Sequence, residues 1–427
     1  MKKVLATILA LVMALALCTT SWATAPASVN SADALKSAIE TGGAITLSGN
    51  IEVSQALSVS KEVTIDLNGQ TITGKNGECG CRVFNVVAGG SLTLTGSGTI
   101  TTASNNDTTF PDNSSVIRVG DNTNGAACGL VVGKDVKIIA PASYGVAVFG
   151  TNTKQTLEVN GTVTSDKACA ISGNGSAGFT ATEITINDGA KITSNDNVAI
   201  YHPQAGTLTV KAATITGRGG IEIKSGTASV DVAGANIKAT GSVDHTGNND
   251  GTSSRGYAIA VVENPGYKGA PSAVIQNGDF VGAMGILKDG EVSAEEKKGN
   301  LAIHAGSFTV NVNDYVTGNT PVASNNGTYY VGETTIQNAA NNLSAGQQLK
   351  IEKGTVTING AEYSAGGNAT YTKPSTGGYY YYQPTTDTKA DDTKGSPKTF
   401  DAGVGIYAVT AVLSVTGMAW TAKKRGN

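Results

Sequence analysis

The feature that most constrains this chain is a short β-rich unit that keeps returning. Between Gly206 and Gly241 the sequence reads GTLTVKAATITGRGGIEIKSGTASVDVAGANIKATG. Leu208 and Val210 alternate with Thr, a three-residue corner follows, and Ile215 opens a second run. After Gly219-Gly220 the third run is IEIK, and VDV (230–232) restarts the cycle. Runs this short, returning at a near-fixed interval through Gly and Asn corners, imply a solenoid rather than a globular sheet. The starts Leu130, Leu157, Ile184, Leu208 and Val230 lie 27, 27, 24 and 22 residues apart. Asn-Gly, Asp-Gly and Ala-Gly corners suit backbone positions with positive φ.

Asn-Gly corners also make hairpins, so an up-and-down antiparallel sheet is the competing architecture. Three runs per repeat without a paired hairpin register favour a parallel β-helix. Nine rungs of such a helix, stacked about 4.8 Å apart, make a rod about 40 Å long. Composition agrees: Gly accounts for 55 of 427 residues and aromatics for 5%, leaving Val, Ile, Leu and Thr to fill a thin core. A formal charge of −3 with 15% charged residues provides no basic field for nucleic acid.

Both ends read as addresses. Met1-Lys2-Lys3 and the apolar run after them form a signal peptide over 1–23, with Ser21-Trp22-Ala23 placing cleavage after Ala23. At the other end a low-complexity spacer (373–395) leads into 396–427, where SPKTFD precedes an apolar transmembrane helix over 402–422 and a basic tail. This order resembles the sorting signals of Gram-positive surface proteins, matched here by Pro397 and Thr399, while Ser396 and Phe400 depart from the commonest residues. The resemblance implies a sortase and peptidoglycan as partners; a retained helix would instead anchor the chain in the membrane. Either places the body outside the cell, wall- or membrane-anchored.

Between these ends, SVNSADALKSAIETGG (28–43) reads as a capping helix with Ser31 as N-cap. The expected solenoid runs over 28–332. A small α+β or β module over 333–372 follows, with a helix near 335–343, a hairpin at 349–359 and a last strand pair at 361–372. The rung pattern resembles the pectate-lyase-like right-handed parallel β-helix superfamily over roughly residues 30–332. The full expectation is therefore all-β: a right-handed parallel β-helix, an N-terminal capping helix, a small C-terminal module and one C-terminal transmembrane helix.

In that superfamily the resemblance implies lyases with a carboxylate cluster for Ca²⁺, or glycosidases with Asp-Asp, Gly-His-Gly and Arg-x-Lys sets. Here there is no Gly-His-Gly, Asp391-Asp392 lies in the spacer, and Glu222 of EIK (222–224) stands where Arg is wanted. No catalytic, cofactor-binding or metal-binding residue is assigned. Cys79, Cys81, Cys128 and Cys169 read as buried or free thiols, since Cys79 and Cys81 are too close for a good mutual bridge.

Function is sought where the repeat breaks. Two long insertions, 103–115 and 241–256, leave from one corner; 121–126, 263–271 and 288–299 leave from the next. Candidate ligand-loop residues are Asp107 and Asp112 in the first, and Asp244, His245, Asp250 and Arg255 in the second. His202 and His304 read as structural. The expected function is an anchored, non-enzymatic surface protein, an adhesin binding glycan or host-matrix ligands. A lyase or glycosidase with a divergent lateral site is the alternative, and a plain surface spacer the third reading.

Overall fold

Strands three apart in sequence pair with one another, and this decides the architecture. In a computed structural model of the chain, residues 26–75, 82–103, 114–120, 125–149, 154–174, 182–230, 234–247, 251–267, 270–290 and 298–375 are described. The signal segment with Ala23, the sorting signal with Pro397 and Thr399, and the 402–422 span lie outside them, as do Cys79 and Cys81. Among the described residues no helix is long and apolar enough to cross a membrane.

The fold is all-β, built of long parallel sheets in the arrangement of a parallel β-helix. The first sheet has 11 strands and the third has 9, all parallel, and the second has 14. Alternation aims one aliphatic column of each sheet inward. In the second sheet Ile72, Ile100, Ile138, Val163, Ile192, Ile215 and Ile237 stand partner to partner. The third sheet stacks Ile117, Val146, Ile171, Ile200, Ile221 and Ile259 in the same way. These side chains are fully buried or nearly so. Each contributes roughly 1.5–3 kcal/mol of apolar burial, so the repeat is its own core. Towards the C-terminal end the inward column widens to Phe280 and Phe308, whose rings stack at 4.9 Å.

One rung differs in register from the sequence reading. Leu208 stands opposite Ala228, and Val230 partners Val210, so the rung expected to start at Val230 begins two residues earlier than VDV. A two-residue shift keeps every side chain on its face, which is why the hydrophobic pattern did not expose it.

The N-terminal helix spans Ala32–Thr41, with Ser31 accepting from the Ala34 amide at 3.3 Å and Gly42 closing it at φ +85°. Leu35 and Ile39 enter the solenoid core, so the helix covers the first rung. An extra strand, Ala27–Val29, pairs parallel with Gly43–Leu47 ahead of it.

The C-terminal module contains the expected helix, Glu333–Asn342, but its strands pair differently. Gln348–Lys353 joins Val322–Asn325 and Thr370–Thr372, extending the second sheet antiparallel. The hairpin is Thr355–Ile358 with Ala361–Ser364, so neither 349–359 nor 361–372 is a strand pair in itself. The reason is local: Asn359 and Gly360 adopt φ +51° and +82°, the two positive values of a tight hairpin turn.

Insertions leave where the repeat breaks. The 103–115 and 241–256 segments connect second-sheet to third-sheet strands, and 121–126, 263–271 and 288–299 connect third-sheet to first-sheet strands. The two sets therefore flank the third sheet from opposite edges.

Candidate functional site

The outer face of the third sheet differs from the rest of the surface. Strands Tyr144–Val148, Val198–His202 and Gly219–Ile223 are buried on both faces. In Gly219–Ile223 the alternation sends Ile221 and Ile223 inward and Glu222 outward, with Lys224 following on the same side. Neither charge reaches solvent: the Glu222 side chain is 0% exposed and that of Lys224 3%.

The 241–256 loop roofs them. Its residues Thr252, Ser253 and Ser254 are buried. The backbone amides of Ser253 and Ser254 donate to Glu222 at 2.9–3.0 Å, and both hydroxyls add bonds at 3.2 and 2.7 Å. Gly251, at φ +88°, lies so close that a Cβ there would come within 2.8 Å of the Tyr201 hydroxyl. Only Gly meets both demands at once.

Lys224 Nζ donates to the Gly251 carbonyl at 2.6 Å and to Asp289 Oδ2 at 2.7 Å, and forms an ion pair with Glu222 Oε1 at 3.3 Å. It also lies 5.8 Å from the ring centroids of Tyr201 and Tyr267, whose hydroxyls meet at 2.8 Å. Burial by itself would lower the Lys224 pKa, but Glu222 and Asp289 outweigh it and hold the ammonium above the ordinary lysine value. Burial would raise Asp289, yet hydrogen bonds from Lys224, Asn264 and His245 hold it below the usual carboxylate range. Asn264 Nδ2 donates to Asp289 Oδ2 at 2.9 Å, and His245 Nε2 reaches Oδ1 at 2.7 Å. Burial pushes the Tyr201 phenol well above its ordinary value.

Of the loop residues singled out in the sequence, Asp244 and Arg255 face each other as an antiparallel backbone bridge at 3.0 and 2.9 Å. His245 turns away from that pair to Asp289, and its side chain remains 26% exposed. Asp250, Asp107 and Asp112 lie outside the described residues. Glu222, Lys224 and Asp289 are the members that sequence reasoning missed. The signal was present: opposite charges at i and i+2 of one strand share a face, and each neighbouring insertion supplies a partner. Among the described residues no group of three or more His, Cys, Asp or Glu side chains is placed to hold a metal ion.

The other histidines are distinct in environment. His304 sits at an exposed corner with Nδ1 3.1 Å from the Thr317 hydroxyl. His202 is fully buried opposite Ile223, its Nδ1 without a hydrogen-bond partner, and burial pushes its imidazole down to about 4. Cys128 and Cys169 are both buried.

A second concave feature lies between the solenoid and the helix Glu333–Asn342. The helix buries Ile336, Ala339 and Ala340 in the small core of the module. Beside it opens a cleft of about 650 Å³, lined by Asn277, Asp279, Ser307, Asn325, Tyr330 and Asn338 among others. Nine of the fifteen lining residues carry an amide or hydroxyl and one, Asp279, a carboxylate, with apolar surface between them.

Comparison with family models, with curated proteins and with solved structures finds no match. Function therefore has to be read from the residues of the sites themselves.

Proposed function

We propose that this chain is a surface-displayed, non-enzymatic β-helix protein of pectate-lyase-like, right-handed type that binds neutral glycan or matrix ligands. The observation that carries the reading is the lining of the cleft beside Glu333–Asn342. Side-chain amides, hydroxyls and one tyrosine both donate and accept hydrogen bonds, as polyhydroxy ligands require, without a charged field to select acidic polymers. The exposed end of the 241–256 loop, with Asp244 and His245, adds a second polar surface. Export through the 1–23 signal and anchoring through 396–427, by a sortase acting at Pro397-Lys398-Thr399 or by the retained 402–422 helix, complete the reading.

The enzymatic alternative has one point in its favour, the convergence of Glu222, Asp289 and Lys224. Against it, Glu222 and Lys224 are saturated by intramolecular bonds beneath Ser253 and Ser254, so a polymer does not reach them. A glycan array probed with the full chain is expected to give binding that weakens several-fold in Asn338→Ala. Release of unsaturated uronides or reducing sugars, with no array binding, overturns the proposal in favour of catalysis. Absence of both favours a plain surface spacer.

A further inference from the structure

The Glu222–Lys224–Asp289 cluster has the parts of a self-cross-linking site. An ε-amine, a carboxyl group and a second carboxylate are brought together by two segments distant in sequence, with Lys224 and Glu222 buried and Asp289 at the rim of the cluster. We propose that Lys224 and Asp289 are joined through an intramolecular isopeptide bond, formed by condensation of the lysine Nζ with the Asp289 carboxyl carbon.

The geometry supplies each step. Lys224 Nζ donates to Asp289 Oδ2 at 2.7 Å, so transfer of one proton along that bond gives a neutral amine beside a neutral carboxylic acid. The Tyr201 and Tyr267 rings on the flank of the pair exclude water from it; the ion pair is the resting form, and the neutral pair is the minor form that reacts. The amine lone pair then attacks the Asp289 carboxyl carbon. Oδ1, on which negative charge develops, is held by His245 Nε2 at 2.7 Å.

Glu222 Oε1, 3.3 Å from Nζ, accepts the proton that the nitrogen must lose as the C–N bond forms. The return path is present too. The Ser253 hydroxyl bridges Glu222 Oε1 at 3.2 Å and Asp289 Oδ2 at 3.3 Å, so the proton is passed on to Oδ2. Oδ2, now carrying two protons, leaves as water. One C–N bond forms, one C–O bond breaks, Glu222 regains its charge, and no oxidant or external reagent is consumed. Held contact replaces chemical activation, which is what proximity in a desolvated site provides.

The bond would tie the strand end after Ile223 to the start of the 288–299 insertion, across a loop of 65 residues that includes the 241–256 roof. A covalent tie of that span restricts the unfolded chain and keeps the roof seated under load.

Peptide mapping of the purified, natively folded full chain by tandem mass spectrometry tests this directly. The expected result is a branched peptide joining the Lys224 and Asp289 segments, lighter by one water than the two linear peptides together, with loss of the linear forms. Denatured wild-type chain should also migrate faster in a gel than Lys224→Arg. Recovery of both linear peptides, unmodified, from wild-type protein overturns the proposal, and this needs no variant to fold. Glu222→Gln, which keeps the side-chain shape, is expected to yield only linear peptides. A branched peptide formed at an undiminished rate in that variant overturns the role given to Glu222.

Discussion

The outward faces of the second and third sheets come from the same repeat but end in opposite surroundings. On the second sheet Thr71 pairs with Thr99, Thr73 with Thr101, and Thr164 with Thr193 and then through it with Thr216, forming half-exposed threonine rows interrupted by Lys137, Ile139 and Lys191. On the third sheet the equivalent positions carry Tyr201 and Glu222, adjacent across the ladder and closed off from solvent. The difference lies in the insertions. Long insertions leave from both ends of third-sheet strands, and among the described residues 251–254 cover its outward side chains, which there have to satisfy their polarity within the protein. A polar residue on the threonine face has water as an alternative partner, and a polar residue under the roof has none.

That contrast can be broken most strongly at the roof. Lys224→Met removes both the charge that Glu222 faces before condensation and the tie to Asp289, and leaves Glu222 enclosed without a partner, with an expected loss of about 3–5 kcal/mol. Denaturant unfolding measures it, and an unchanged midpoint would show that Glu222 is hydrated in solution.

Next in size is the inward face of the same sheet, at His202. An unfolded imidazole takes up a proton near 6.5, whereas His202 does so only near 4 in the folded chain. Between those values the unfolded state binds more protons, so stability is complete above about pH 6.5 and falls as pH drops towards 4, by about 3 kcal/mol in total. Thermal melts across that window should lose most of this slope in His202→Leu. A slope that survives intact assigns the acid sensitivity to other groups.

Smaller again is Ser253→Ala, which deletes a hydroxyl that bonds to Glu222 while leaving the backbone amide in place. A loss of about 1.5–3 kcal/mol is expected for a hydrogen bond to a buried charge. Faster amide exchange confined to 251–256 would locate it, whereas uniform acceleration along the solenoid would contradict a local roof. The smallest effect belongs to the other face. Thr193→Ala should change stability by no more than about 0.5 kcal/mol, and a larger loss would show that the threonine rows act as more than solvated surface.

Much of this was open to reading along the chain. The period-two alternation placed the aliphatic columns, the Gly corners placed the turns, and Ser31 marked the start of the helix. The edges from which insertions leave followed from counting runs. What escaped were relations between rungs. A two-residue register shift at Ala228 changes no face, so nothing in the hydrophobic pattern marks it. EIK (222–224), weighed as a degenerate catalytic motif, offered two charges whose partners lie in other insertions, Ser253 in one and Asp289 in another. The hairpin expected over 349–359 instead turns at Asn359-Gly360, pairing Thr355–Ile358 with Ala361–Ser364, although Asn-Gly is itself a turn signal in the sequence.

By itself, then, the sequence determined a stack of short β runs with aliphatic columns inside and its irregularities gathered at two corners, because alternation and turn chemistry are local properties. Tertiary structure decided that the repeat unit at 206–241 carries a closed polar cluster on its outer side. Glu222 and Lys224 are compatible with solvent in any isolated strand. Only the loops folding back from both edges, bringing Ser253, His245, Asn264 and Asp289 with them, take the water away and make those two charges depend on each other.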